Sequence, residues 1–285
     1  MKKHIVTLAA AVTVGLIAGC GGGSSTQATP AASTSVSGAV ADGYLVGATV
    51  FLDKNENYQL DAGEPSTTTD DKGAYTLNLD PADLGKYPIV AIAMEGKTSD
   101  TDDNHALTYS YILSMPKESV SGTVNSNFIS PMSSQVRELM GTGKYTMPQA
   151  MAELRRRLGL PAEANMLADY MKNQNDATFI AMHASARSMA GLMGSQMAQV
   201  FAGNGSTGAV DDNRYRGMMG AIFSNMSSIK GSSPGAQSAM SNLMGTMTAN
   251  LPNITVGQPY RNMSTSFRGG MMGVGTGTGS KGGMM

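Results

Sequence analysis

The hydrophobic period changes at Pro131, and that change restricts the folds open to this chain more than any other feature. From about residue 35 to residue 130, apolar and polar positions alternate in short runs broken by Gly, Asp and Asn. Alternation sends successive side chains to opposite faces, as a half-buried strand requires. Candidate strands fall at 36–41, 48–52, 74–79, 89–94, 106–113 and 119–124. Short strands separated by turn signals favour an antiparallel β-sandwich. After Pro131 the period lengthens to about three and a half residues and strand formers thin out, which predicts helices. These are expected at 134–140, 147–158, 161–172, from Asp176 as cap to Phe201, at 211–230 and at 233–251. The segment Thr146-Met147-Pro148-Gln149 carries a capping-box arrangement with Pro in the first turn, and Gly159 with Pro161 beyond it stops that helix. The expected fold class is α+β, an N-terminal antiparallel β-sandwich followed by an α-helical domain, with disordered termini.

The N-terminus has the form of an export signal. Met1-Lys2-Lys3 is a short basic segment, and residues 5–17 form an apolar run too short to span a bilayer permanently. Leu16-Ile17-Ala18-Gly19-Cys20 resembles the lipobox of bacterial lipoproteins. That resemblance implies cleavage before Cys20 and a diacylglyceryl group on its thiol. Residues 20–34, rich in Gly, Ser and Thr, read as a flexible tether. Gly21 is not the Asp that resembles an inner-membrane retention signal, so an outer-membrane or cell-surface location is expected, with the membrane itself as a partner through the lipid.

Composition then removes several chemistries. Cys20 is the one cysteine, so lipidation would leave no thiol for a disulfide, a cysteine-held metal or a haem attachment. Without Lys2 and Lys3 the 20 basic residues become 18 against 21 acidic ones, a net charge of −3 that gives no electrostatic reason to expect nucleic acid. Of the three histidines, His4 lies in the signal, and His105 and His183 are far apart in sequence.

The most informative motif runs from Asp53 to Glu64: Asp53-Lys54-Asn55-Glu56-Asn57-Tyr58-Gln59-Leu60-Asp61-Ala62-Gly63-Glu64. Oxygen-bearing side chains at positions 1, 3, 5, 9 and 12 match the spacing of an EF-hand-type calcium loop, in which alternate residues point at a hard cation. The flanks, 46–52 and 65–77, are strand-like instead of helical. The whole stretch resembles the calcium-binding B-type repeats of bacterial surface proteins (SdrD B-like), within the wider group of transthyretin-like, carboxypeptidase-regulatory-like sandwiches. Matching elements cover residues 36–79. The resemblance implies a structural Ca²⁺ with Asp53, Asn55, Asn57, Gln59 (through its backbone carbonyl), Asp61 and Glu64 as ligands. One residue departs from the pattern: position 6, where the tight turn favours Gly, is Tyr58. The alternative is a solvated, Asx-rich hairpin turn without metal. A second acidic stretch, Asp100-Thr101-Asp102-Asp103-Asn104 before His105, fits no coordination spacing and is expected to be a polar turn.

The helical half, residues 131–252, is rich in methionine. Met182, Met189, Met193 and Met197 form one helical stripe, and Met240, Met244 and Met247 another. Thioethers suit Cu(I) or Ag(I), but no His or Cys accompanies them, and Met also serves as an adaptable core residue. Phe128-Ile129-Ser130-Pro131-Met132-Ser133-Ser134 and the later Leu158-Gly159-Leu160-Pro161 resemble a linker and helix found after such sandwiches in bacterial surface lipoproteins. Arg155, Arg156 and Arg157 are expected in a solvated last turn, where positive charge favours the helix C-terminus. Tyr109, Tyr111 and His105 share one candidate strand and could line a groove. Residues 253–285, ending Gly282-Gly283-Met284-Met285, are expected to be a disordered tail.

No nucleophile elbow, phosphate loop, paired-carboxylate motif or metal cluster is written in the helical half. The expected function is therefore non-catalytic: a lipid-anchored envelope or surface protein whose calcium-stabilised sandwich and helical domain mediate binding or assembly. Its partner would be an envelope or matrix protein or polysaccharide, and its low-charge, Met-rich helices also suit self-association. The alternatives are a periplasmic or outer-membrane soft-metal (Cu/Ag) binder and an enzyme of a chemistry the motifs do not name.

Overall fold

In the computed structural model, ten strands precede five α-helices, and residues 33–120, 127–201, 209–231 and 233–254 are described. The expected signal, Cys20 and most of the expected tether lie outside those residues, as do residues 121–124 of the strand expected over 119–124 and the residues beyond Ile254. The strands are β1 (Thr34–Val40), β2 (Leu45–Val46), β3 (Thr49–Leu52), β4 (Ser66–Thr68), β5 (Ala74–Leu79), β6 (Ile89–Ala93), β7 (Ser99–Asp100), β8 (His105–Ala106), β9 (Tyr111–Met115) and β10 (Asn127–Ile129). The helices are α1 (Pro131–Gly141), α2 (Met147–Leu158), α3 (Ala177–Val200), α4 (Asp212–Ile229) and α5 (Pro234–Asn250).

Two larger sheets touch through β4 with β5 and β9 with β10. One has the order β4-β3-β6-β9 and is antiparallel throughout; the other has the order β10-β1-β5. The second is not wholly antiparallel, because β10 pairs with β1 in parallel, Gly38 opposite Asn127 and Val40 opposite Ile129. It is the one parallel pairing among the described strands, and the others are antiparallel. The reason lies in the chain path: β10 does not return by a hairpin but feeds straight into α1. Gly38 is what permits the close pairing, since a Cβ there would lie 1.8 Å from the Asn127 carbonyl oxygen. Gly38→Ala should force these strands apart and lower stability by about 1–3 kcal/mol, measured by urea denaturation; an unchanged midpoint would show that the pairing has slack. A small third sheet has the order β2-β7-β8.

All five residues of β9, and all but one of β6, are buried. Strands buried on both faces show no alternation, because one face meets the opposite sheet and the other meets helices. Here α1 and α3 pack over β9. That is why the strand predicted over 106–113 is displaced: the continuous run Tyr111–Met115 forms the strand, and residues 107–110 form the approach to it. The sheets and helices contribute to one continuous hydrophobic core that runs from Val36 to Leu251.

The segment resembling a linker is buried throughout Ser130-Pro131-Met132-Ser133-Ser134, and its hydroxyls are hydrogen-bonded. Ser130 caps α1 in a reciprocal box: the Ser133 N–H donates to Ser130 Oγ (3.3 Å), and the Ser130 N–H donates to Ser133 Oγ (2.8 Å). The Ser133 hydroxyl also donates to the Ser114 carbonyl in β9 at 2.6 Å, and Ser134 Oγ accepts from the Ser114 N–H at 2.8 Å. Small hydroxyl side chains thus rivet the helix start to the sheet.

Helices α2, α3, α4 and α5 match their predicted spans closely, with Asp176, Asp211 and Ser233 as N-caps and Gly159 in the left-handed conformation after α2. The helix predicted over 161–172 is absent except for a single 3₁₀ turn at Tyr170–Lys172. Asn165 and Asp169 accept hydrogen bonds from the N–H groups of Leu167 and Met171, two residues on, a local bonding that competes with helix formation. Of the three arginines ending α2, only Arg156 is solvated. Arg155 donates to the Ala164 carbonyl (3.0 Å), while Arg157 donates to the Phe223 carbonyl (3.1 Å) and stacks on that ring. They staple α2 to its neighbours. No helix among the described residues is long and apolar enough to cross a membrane.

Candidate metal centre

The 53–64 loop connects β3 to β4 on the sheet edge, and its bonding follows the alternation of the motif. Glu64 clamps the loop's ends: Oε1 accepts from the Lys54 N–H (2.7 Å) and Oε2 from the Asp61 N–H (3.0 Å). Inside the clamp the side-chain amides of Asn55 and Asn57 both donate to Asp61 Oδ2, at 2.8 Å each. The Gln59 N–H donates to Asn57 Oδ1 (2.8 Å). Asp53 curls the chain round itself, Oδ1 accepting from the Asn57 N–H (3.0 Å) and Oδ2 from the Tyr58 N–H (3.2 Å).

The turn is made by residues in the left-handed region. Glu56 has φ 60°, Tyr58 φ 63° and Gly63 φ 89°. Tyr58 thus adopts the angle for which position 6 favours Gly, at a cost on the order of 1–2 kcal/mol. What it gains is visible in its surroundings. Its side chain is 1 % exposed, stacks on Tyr215 of α4 (centroids 4.4 Å apart), lies under the Arg137 guanidinium (4.3 Å) and donates its hydroxyl to Glu138 Oε1 (2.5 Å). Burial and the neighbouring Glu138 charge push its hydroxyl pKa upward, so it remains a donor. The residue that departs from the calcium-loop pattern is therefore the one that docks the loop on the helices.

Asp53 is likewise tied to α1. Its carboxylate is fully buried and pairs with Arg137 at 3.1 Å. Beside the loop lies a cleft of about 500 Å³ lined in part by Glu56, Tyr58, Lys117, Arg137, Glu138 and Arg216, so groups of both charges line it.

The fit to a hard cation rests on donor chemistry. The motif positions Asp53, Asn55, Asn57, Asp61 and Glu64 carry oxygen donors of the kind a hard cation takes. Two carboxamides already converge on Asp61, and a half-turn of each would offer oxygen where nitrogen now points. Each Glu64 oxygen, and Asp53 Oδ1, accepts a single hydrogen bond and keeps a lone pair. Among the described residues no three Asp, Glu, His or Cys side chains meet at metal-binding separation, so the convergence depends on the asparagines.

The second acidic stretch is a polar turn, with the Asp102 N–H bonded to Asp100 Oδ1 (2.9 Å) and the His105 N–H to Asp103 Oδ1 (3.0 Å). It also does something its sequence did not reveal. Asp102 reaches α3, where His183 Nε2 (2.8 Å) and Arg187 Nε (3.2 Å) both meet its Oδ2, and His183 stacks on Tyr170. Behind this pair Asp42 is buried, accepting from the Tyr111 hydroxyl at 2.8 Å. Burial, with the nearby Asp100, raises the Asp42 carboxyl from 3.8 to about 8. No spacing rule signals contacts made across 81 residues.

Tyr109, Tyr111 and His105 do not line one groove. Tyr111 faces the interior, Tyr109 packs against Gly194 of α3, and His105 is exposed on β8. The methionine stripes are core: Met182, Met189, Met193, Met197 and Met247 are all buried, with Met240 and Met244 partly so. No protein-family model, curated protein or solved structure matches this chain.

Proposed function

We propose that this protein is a lipid-anchored, non-catalytic component of the bacterial cell envelope or surface, whose sheets are stiffened by Ca²⁺ in the 53–64 loop and which acts by binding or assembly. The observation that carries this reading is the loop itself: Asn55 and Asn57 converge on Asp61 inside a turn whose ends are held by Glu64. Asp53, Asn55, Asn57, the Gln59 carbonyl, Asp61 and Glu64 would hold the ion, which would draw the loop's carboxylates together and cross-link the loop. Anchoring through Cys20 rests on the sequence that precedes it, and places the loop outside the cytoplasm, where weak affinity on the order of 0.1–1 mM suffices. An envelope or matrix protein, a polysaccharide or a second copy of the chain would meet the exposed surface of the combined sheet and helix body.

Calcium at about ten times its dissociation constant should stabilise the mature protein by about 1.4 kcal/mol and raise its melting temperature by several degrees. Asp61→Ala should remove that rise. A melting temperature and loop NMR shifts that ignore millimolar calcium would dispose of the cation reading. Cys20→Ala should release the mature chain from the membrane fraction, and persistent attachment would count against the anchor.

A further inference from the structure

Asp53 is placed to serve two cations at once. It is the first ligand position of the loop, and it is also the anion of a buried ion pair with Arg137, whose side chains are 0 % and 9 % exposed. The pair is held by one guanidinium nitrogen: Nη2 bonds to Asp53 Oδ2, while the buried Nη1 has no hydrogen-bond partner. The guanidinium otherwise lies over the Tyr58 ring. A buried carboxylate cannot stay charged and unpaired without large cost. Something must neutralise Asp53 whenever the loop holds no metal, and Arg137 is the group in contact.

Resting on the cation reading above, we infer that Arg137 is an internal counter-cation for the loop: it neutralises Asp53 in the metal-free protein and competes with an incoming divalent ion for the same carboxylate. Arg137 is a positioning residue, not a ligand. Its charge keeps the loop folded without metal and holds the affinity down once metal arrives, because two positive centres then share one anion. The monodentate contact suits this role, since a forked pair would hold the carboxylate more tightly and leave less of it to a metal.

The two roles predict opposite effects of one substitution. Arg137→Met keeps an apolar chain beside the Tyr58 ring and removes the charge. Its melting temperature in chelator should fall well below that of the wild type, while its affinity for a divalent or trivalent probe should rise by roughly tenfold. Arg137→Lys, which keeps the charge, should bind near the wild-type level. The measurement is Tb³⁺ luminescence on the mature protein, with calcium as competitor, alongside thermal melts with and without calcium. The chain has no tryptophan, so sensitisation would come from tyrosine. Tighter binding by the Met variant, or a Met variant that folds only when calcium is added, supports the inference. Equal or weaker binding by the Met variant overturns it while leaving the cation reading intact. A Met variant that stays unfolded in millimolar calcium also overturns it, since Arg137 would then act through packing. If neither the wild type nor the variants take up Tb³⁺, the cation reading falls and this inference falls with it.

Discussion

Tyr58→Gly should destabilise the protein by about 3–5 kcal/mol, even though glycine is the residue the backbone angle at that position favours. The substitution relieves a left-handed residue, worth on the order of 1–2 kcal/mol, but glycine also adds freedom to the unfolded chain. Against that small gain stands the loss of a fully buried aromatic side chain. Truncating such a side chain costs about 3–5 kcal/mol through transfer and cavity terms. Glu138, itself 4 % exposed, would lose the hydroxyl that donates to it, with Arg216 still 3.9 Å away. A hydrogen bond to a charged group contributes about 1.5–3 kcal/mol. The two losses exceed the relief of strain. Tyr58→Phe separates them: it keeps the ring stacked between Tyr215 and Arg137 and should cost only the hydroxyl's share. Urea denaturation of the three proteins in chelator makes the comparison. A Gly variant as stable as the wild type would mean that the loop does not rely on its contact with α1 and α4.

The second large effect is one of pH. Asp42→Asn should stabilise the protein at pH 9 by about 2–4 kcal/mol and at pH 5 by no more than about 1.5 kcal/mol. In the folded state burial, and after it the Asp100 charge, holds the Asp42 carboxyl at about 8, with the Tyr111 hydrogen bond opposing the rise. In the unfolded chain the same group titrates near its ordinary value of about 3.9. Between those values the unfolded state is ionised while the folded state keeps its proton, so the folded state binds more protons and stability falls as pH rises. The favourable contribution is complete below about pH 4 and lost once pH has passed about 8. A displacement of this size corresponds to about 6 kcal/mol, reduced when the folded state relaxes or admits water round the anion. Asparagine keeps an oxygen for the Tyr111 hydroxyl and never ionises. Unfolding curves at the two pH values would test the difference, and parallel pH profiles for wild type and variant would refute it. His183 and Arg187 lie against the neighbouring Asp102, so the double-variant cycle Asp42→Asn with His183→Gln would separate that pair from Asp42 itself.

The sequence alone was enough for the order and class of elements. Period two before Pro131 and period three to four after it place the sheets ahead of the helices, and side-chain caps such as Asp176 and Ser233 mark helix starts because they act on their own next two or three residues. The 53–64 loop was legible for the same reason, since its polar partners lie within twelve residues of each other. What the sequence could not carry were the consequences of contact at long range. The parallel pairing of β10 with β1, the meeting of Asp102 with His183 and the pairing of Asp53 with Arg137 join residues 81 to 89 positions apart in the chain, and β9 is buried by helices from later in the sequence. Tyr58 shows the difference most sharply. Read locally it is a poor residue for its turn, because local physics counts only its backbone angle. Tertiary structure adds the buried ring and hydroxyl, and that larger packing energy decides the choice.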